Sequence, residues 1–225
     1  MKSIIVTGAG SGLGKELSIS FAQKGYHLIL AGRTEKSLIK TKTEIEQNDG
    51  KASSLELDIR NPEDVKEKLL ILNKDFDLYG LINNAGVGFF GPFLESSDQE
   101  LEDTFSTNVL GTLHMTKAIL PYLLKTNEGL VMNIISTAGL RGKKNEAIYC
   151  ASKFAVRGFT ESLQAEYDQT GVKIIAAYMG GMDTPFWNGS SHIADPSKFR
   201  SAREVAGIVM SELHKDTIII ESPKT

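Results

Sequence analysis

The 225-residue sequence predicts an α/β fold, one domain over 1–225 built on a parallel sheet of about seven strands with helices on both faces. Three observations carry that expectation. Short apolar runs alternate with longer helical patterns from end to end. Several runs are almost continuously apolar, as parallel strands buried on both faces are. A glycine-rich turn, TGAGSGLG (7–14), follows the first run and opens the first helical stretch.

Taken in order, the first strand is SIIVTG (3–8), whose apolar run of three gives way to turn chemistry. A helix near 12–24 precedes the strand HLILAG (27–32), and a helix near 35–47 precedes SSLELD (53–58). Asn61 followed by Pro62 supplies an N-cap and an N1 proline for a helix near 62–73. The strands DLYGLIN (77–83), GLVMNIIS (129–136), KIIAAYM (173–179) and TIIIES (217–222) follow, separated by helical stretches near 98–124, 147–168 and 201–214. Strand–helix alternation of this kind gives a parallel sheet, and right-handed crossovers make it doubly wound. Ligands then bind beyond the carboxyl ends of the strands. Segment 180–200 breaks the rhythm with turn formers around Phe186 and Trp187. It is expected to be a lid, the alternative being an irregular surface loop.

Composition narrows the function classes. With 41% hydrophobic and 24% charged residues and a net charge of −3, nothing argues for general affinity to nucleic acid or acidic membranes. A single cysteine fits a reducing compartment. The short N-terminal apolar run does not make a secretory signal, and no stretch approaches membrane-span length. These features point to a cytoplasmic protein. No Cys/His pair shows metal-ligand spacing, so no metal is expected.

The glycines of TGAGSGLG fit GxxxGxG through Gly8, Gly12 and Gly14, not GxGxxG, because Leu13 occupies the sixth position counted from Gly8. Absent Cβ atoms permit a tight turn and the approach of a pyrophosphate to N–H groups at a helix N-terminus. No acid closes the second strand, where LILAGRTEK places Arg33 after Gly32. A guanidinium fork suits a ribose 2′-phosphate, so NADP(H) is favoured and NAD(H) is the alternative. The bland reading of Arg33 is a solvated surface cation, and Glu35 falls where the next helix begins.

AIYCASKFA (147–155) sets Tyr149 and Lys153 one helical turn apart, with the lone Cys150 between them. Cys150 lies about 100° around the helix from Tyr149, off the Tyr–Lys face. None of His27, His114, His192 and His214 adjoins it in sequence, so it reads as a packing residue. TGAGSGLG, LDI (57–59), NNAG (83–86), NVLG (108–111), Ser136 in IISTAG and YCASK together resemble the classical short-chain dehydrogenases/reductases, in the right order over almost the whole chain.

The resemblance implies a Rossmann-like fold and a set of roles. Tyr149 would be the general acid/base, Lys153 its activator and a ribose contact, Ser136 the group holding the carbonyl, and Asn108 the anchor of a water in a proton relay. Gly8, Gly12, Leu13 and Gly14 would approach the cofactor diphosphate, Asp58 the adenine, and Asn84, Ala85 and Gly86 the adenosine side. Gly180 and Thr184 would meet the nicotinamide. Met179 stands where the family commonly has proline. The chemistry agrees: a free tyrosine titrates at about 10, and a nearby ammonium with a positive nicotinamide ring favours the tyrosinate. Each residue also has a structural alternative: half-buried tyrosine, solvated lysine, strand-end cap, helix kink.

Phe89, Phe90 and Phe93, Leu140, and Met182, Phe186 and Trp187 are the pocket candidates, and their apolar character suggests an apolar or aromatic ketone, aldehyde or secondary alcohol. The rival class is a dinucleotide-binding sensor or scaffold, since fold does not fix function. The resemblance further implies a homodimer or homotetramer paired through the helices near 98–124 and 147–168.

Overall fold

Ile4 and Val6 face one side of the first strand and Ile5 the other, and all three are fully buried in two separate cores. That alternation decides the architecture: a strand apolar on both faces has to sit inside a sheet covered twice. The computed structural model describes residues 1–223. In chain order the elements are β1 (Lys2–Thr7), α1 (Gly12–Gln23), β2 (His27–Gly32), α2 (Glu35–Glu46), β3 (Lys51–Glu56), α3 (Pro62–Asp75) and β4 (Asp77–Asn83). There follow α4 (Asp98–Phe105), a π turn (Ser106–Gly111), α5 (Thr112–Thr126), β5 (Gly129–Ile134), α6 (Ala147–Glu166) and β6 (Val172–Met179). The two-residue strands β7 (Met182–Asp183) and β8 (Arg200–Ser201) precede α7 (Ala202–Ser211) and β9 (Thr217–Ile220).

Seven parallel strands form one sheet in the order β3-β2-β1-β4-β5-β6-β9. The winding direction reverses between β1 and β4, which opens a crevice at their carboxyl ends. On one face, Leu17 and Phe21 of α1 and Val205 and Val209 of α7 pack on Ile4, Val6, Leu28 and Leu30. On the other, Leu69 of α3, Ile119 of α5 and Leu163 of α6 cover Ile5, Ile29, Leu81 and Val131. Each fully buried Leu or Ile contributes about 1.5–3 kcal/mol. Beneath the crevice, Asn83 Nδ2 donates to Asn133 Oδ1 and Thr116 Oγ1, each at 2.9 Å, and Asn133 Nδ2 donates to Thr160 Oγ1 at 2.9 Å. This buried set ties β4 and β5 to α5 and α6.

Asn61 caps α3 as its sequence requires, accepting from the N–H groups of Glu63 and Asp64 at 3.1 Å. Elsewhere the elements end earlier than expected, for physical reasons. The first strand stops at Thr7 because Gly8 turns to φ +65°. The fifth stops at Ile134, leaving Ser136 to cap a short 3-10 turn through Ala138 N–H. The last strand, expected over 217–222, ends at Ile220, and the third is shifted to 51–56, so Asp58 lies in the loop beyond it.

The single helix expected over 98–124 is a correction: it breaks into α4 and α5 at the π turn. Asn108 sits in that turn, and its side chain bonds across to Val87 and Ser152 instead of leaving the helix face free. Gly111 serves the same region by close approach, since a Cβ there would lie 2.6 Å from the Ile59 side chain. Among the described residues no helix is long and apolar enough to cross a membrane.

Candidate active site

Thr7 begins the site. Its hydroxyl accepts from the N–H groups of Asn84 (2.9 Å) and Ala85 (3.0 Å), while Asn84 Nδ2 donates to Thr7 O at 2.9 Å. The NNAG turn is thereby stitched to the glycine loop. Gly12 holds φ +52°, and a Cβ on Gly14 would stand 2.5 Å from the Gly8 carbonyl oxygen. Gly8 and Gly12 present bare backbone to the cleft, whereas Gly14 does not line it and serves instead by close packing beneath Gly8 and Asn84. At the head of α1, Ser11 makes no side-chain capping bond and the first turn carries no acid. Its N–H groups stay available to an anion.

The cleft, about 480 Å³, runs from this loop along Arg33 and Asp58 to Ser136, Tyr149 and Lys153. Gly8, Gly12, Leu13, Ala85, Gly86, Gly180 and Thr184 also line it, as do Asn84, Met182, Phe186 and Trp187. Arg33 is exposed at the rim. Asp58 is engaged from within: Arg60 donates to both its oxygens at 2.7–3.0 Å and reaches Asp103 of α4 at 3.3 Å. The Arg60 guanidinium holds the Asp58 carboxyl below its ordinary range.

At the far end, Tyr149 and Lys153 lie on one face of α6, both buried. Lys153 Nζ donates to Ile134 O at 3.2 Å and lies 5.6 Å from the Tyr149 ring centre. Burial brings the Lys153 ammonium down to about 8. Burial likewise pushes the Tyr149 phenol well above its usual value; the neighbouring Ser136 hydroxyl pulls it partly back, and the charge of Glu146 adds to the rise. In the protein by itself desolvation thus outweighs the neighbouring ammonium, opposite to the lowering that the sequence reasoning assigned to Lys153 and a bound nicotinamide together.

Leu140, Phe93 and Phe90 are placed differently from expectation. Leu140 lies outside the cleft, against Ile135, Val156, Ala176 and Tyr178, because the turn after Ser136 carries it onto β6 and α6. Phe93 is 60% exposed in a short turn away from the site. Asn108 is buried, with Oδ1 accepting from Val87 N–H at 2.8 Å and Nδ2 donating to Val87 O and Ser152 Oγ. Its side chain holds the backbone of Val87 in the turn after NNAG and ties it to α6. Phe90 stands one layer behind the lining, edge-on to Tyr149 at 5.5 Å and to Phe186 at 5.9 Å. Cys150 packs with Ala138 and Tyr149, and burial pushes its thiol up.

Glu146, Lys143, Ile193 and Phe199 also line the cleft, with His192 beside it, and none of them belongs to a motif read from the sequence. Only Glu146 carried a signal, being three residues before Tyr149 at the mouth of the same helix.

A family model described as short chain dehydrogenase matches residues 2–193. The chain belongs to that family. An uncharacterized oxidoreductase of Staphylococcus epidermidis is 31% identical over 193 residues, covering 84% of this chain and 81% of that protein. Among solved structures, an alcohol dehydrogenase from the archaeon Thermococcus sibiricus complexed with 5-hydroxy-NADP superposes with a TM-score of 0.90 at 26% identity, covering both chains completely. A short chain dehydrogenase/reductase from Burkholderia phymatum in complex with NAD gives 0.89 at 26% identity, covering 97% of this chain and 88% of that one. This short-chain dehydrogenase is thus an oxidoreductase whose bare-backbone loop and uncapped α1 terminus fit a nicotinamide dinucleotide.

Proposed function

We propose that the protein is an NADP(H)-dependent reductase of apolar or aromatic ketones and aldehydes, or the corresponding secondary-alcohol dehydrogenase. One observation carries the reading: Ser136, Tyr149 and Lys153 converge at the end of the cleft that begins at the glycine loop. Gly8, Gly12, Leu13 and the α1 N-terminus would hold the diphosphate, with Gly14 packing the loop beneath them and Asn84, Ala85 and Gly86 beside it. Gly180 and Thr184 would flank the nicotinamide. The cofactor supplies the hydride.

The protein's own task is to orient the carbonyl and deliver one proton. Ser136 donates a hydrogen bond to the carbonyl oxygen as negative charge develops there. Tyr149, kept protonated at neutral pH by burial, gives its phenolic proton to that oxygen. Lys153 stabilises the phenolate left behind. Asp58, already satisfied by Arg60, offers adenine little beyond a shaped wall. Arg33 at the rim supports recognition of a 2′-phosphate. Met182, Phe186 and Trp187 would enclose the substrate body, with 180–200 acting as a lid based on the β7–β8 pair. Exposed Leu101, Leu110 and Phe154 support pairing of two copies through α4 to α6, which light scattering tests.

The experiment is a carbonyl panel with NADPH and NADH on wild type and Arg33→Ala. The reading predicts turnover, with the variant weakening NADPH about tenfold and leaving NADH unchanged. Cofactor binding without turnover on any carbonyl would favour a dinucleotide sensor.

A further inference from the structure

Glu146 stands at the N-terminal boundary of α6, yet its side chain takes no part in capping that helix. It is 7% exposed and lines the cleft. Oε1 lies 3.0 Å from Nε2 of His192, and Oε2 lies 3.9 Å from Lys143 Nζ. A carboxylate only accepts, so Nε2 carries the hydrogen and donates. A carboxylate withdrawn from water persists where partners repay its lost hydration, and here the principal partner arrives from a segment 46 residues away.

His192 belongs to the 180–200 segment. Among the described residues, this is the one side-chain hydrogen bond from 182–199 to a residue outside the segment. The two ends of the segment are tied separately, by Gly180 N–H to Ile220 O, Gly181 N–H to Ser222 Oγ and Arg200 Nη1 to Glu221 O, and Met182 packs on the core, while ring contacts join its middle to the cleft. The imidazole stacks on Phe90 at 4.8 Å and 13°, and Phe90 in turn meets Tyr149 at 5.5 Å and Trp187 at 5.3 Å. Glu146 fixes His192, His192 fixes Phe90, and Phe90 supports both the phenol and the aromatic wall of the cleft.

We propose that Glu146 and His192 are a positioning pair that seats the 180–200 segment over Tyr149 and so sets how tightly the carbonyl substrate is held. The proposal rests on the reductase reading for its substrate, but the seating itself is open to a test that needs no turnover. Trp187 is the only tryptophan in the chain and lies in this segment, so its quenching by acrylamide reports the seating directly. The cofactor-free proteins to compare are wild type, His192→Ala, Glu146→Ala, the double variant and Glu146→Gln.

Each alanine variant is expected to raise the quenching constant about twofold, the double variant no further, because the pair acts as a unit. Glu146→Gln, whose amide oxygen still accepts from the imidazole, stays near wild type. On whichever panel carbonyl the wild type reduces, His192→Ala raises KM about tenfold with kcat little changed, and Glu146→Gln preserves KM. His192 lies outside the sheet and its helices, so His192→Ala keeps the fold and the comparison remains readable if Glu146→Ala unfolds. Unchanged quenching in His192→Ala, additive effects in the double variant, or a Glu146→Gln as damaged as Glu146→Ala would each overturn the pair. A wild type that reduces no carbonyl rejects the reductase reading instead, while the quenching series still decides the pair.

Discussion

Replacing Lys153 by methionine should make the cofactor-free protein more stable while abolishing its chemistry. The Lys153 side chain is buried, and burial takes its ammonium from 10.5 to about 8. At about 1.36 kcal/mol per pH unit, that fall corresponds to roughly 3 kcal/mol of destabilisation whenever the lysine is charged in both native and unfolded chains. Methionine removes the charge at similar volume. It also removes the bond to Ile134 O, a loss of about 1 kcal/mol, leaving a net gain of about 2 kcal/mol at neutral pH. Between pH 8 and 10.5 the unfolded chain retains a proton that the native chain has released. Wild-type stability therefore rises with pH through that window relative to the variant. The advantage of Lys153→Met should shrink to below about 1 kcal/mol near about pH 9.5. Burial keeps the native Tyr149 phenol protonated through this window in both proteins, so its contribution cancels in the difference.

Urea unfolding of both proteins without cofactor, at neutral and alkaline pH, measures this directly. In the same variant kcat should fall by about two orders of magnitude or more, the usual loss when acid/base support is removed. A methionine variant less stable than wild type at neutral pH, or a gap that does not narrow on raising the pH, would refute the reasoning. Either result would mean that the protein already compensates the buried ammonium.

Other expectations follow from the same geometry. Gly14→Ala drives a Cβ to 2.5 Å from the Gly8 carbonyl oxygen, so NADPH affinity should fall more than about tenfold by titration, with about 1–3 kcal/mol lost on unfolding. Asn108→Ala strands the N–H and C=O of Val87, and urea unfolding should show a loss of about 2–4 kcal/mol. Ser136→Ala should lower kcat/KM by about two orders of magnitude in steady-state assays with cofactor affinity unchanged.

The sheet was legible because its information is local. Ile4, Ile5 and Val6 announce a strand buried on both faces, and Asn61-Pro62 announces a helix start, without reference to anything distant. The convergence of Ser136, Tyr149 and Lys153 was legible through motif spacing and resemblance. What escaped depends on partners far along the chain. A helix kink at Asn108 was among the readings its sequence allowed, but the partners that hold it, Val87 and Ser152, are 21 and 44 residues away and were not legible. Leu140 looked like a pocket residue because it follows Ser136, but the intervening 3-10 turn redirects it into packing. His192 carries no local mark of its tie to Glu146, and its place appears only once the 180–200 segment folds back over α6. Arg60 is the exception, since a guanidinium two residues past Asp58 was visible in sequence and decides how much of that carboxylate is free.

The central claim is that Tyr149 delivers the proton during hydride transfer from NADPH to a carbonyl. The most direct measurement follows NADPH consumption by wild type and Tyr149→Phe over the same panel of apolar and aromatic ketones and aldehydes, with NADPH binding titrated in parallel. The account predicts turnover by wild type and a loss of about two to four orders of magnitude in kcat for the variant, with NADPH affinity retained. Equal turnover by the two proteins would contradict it.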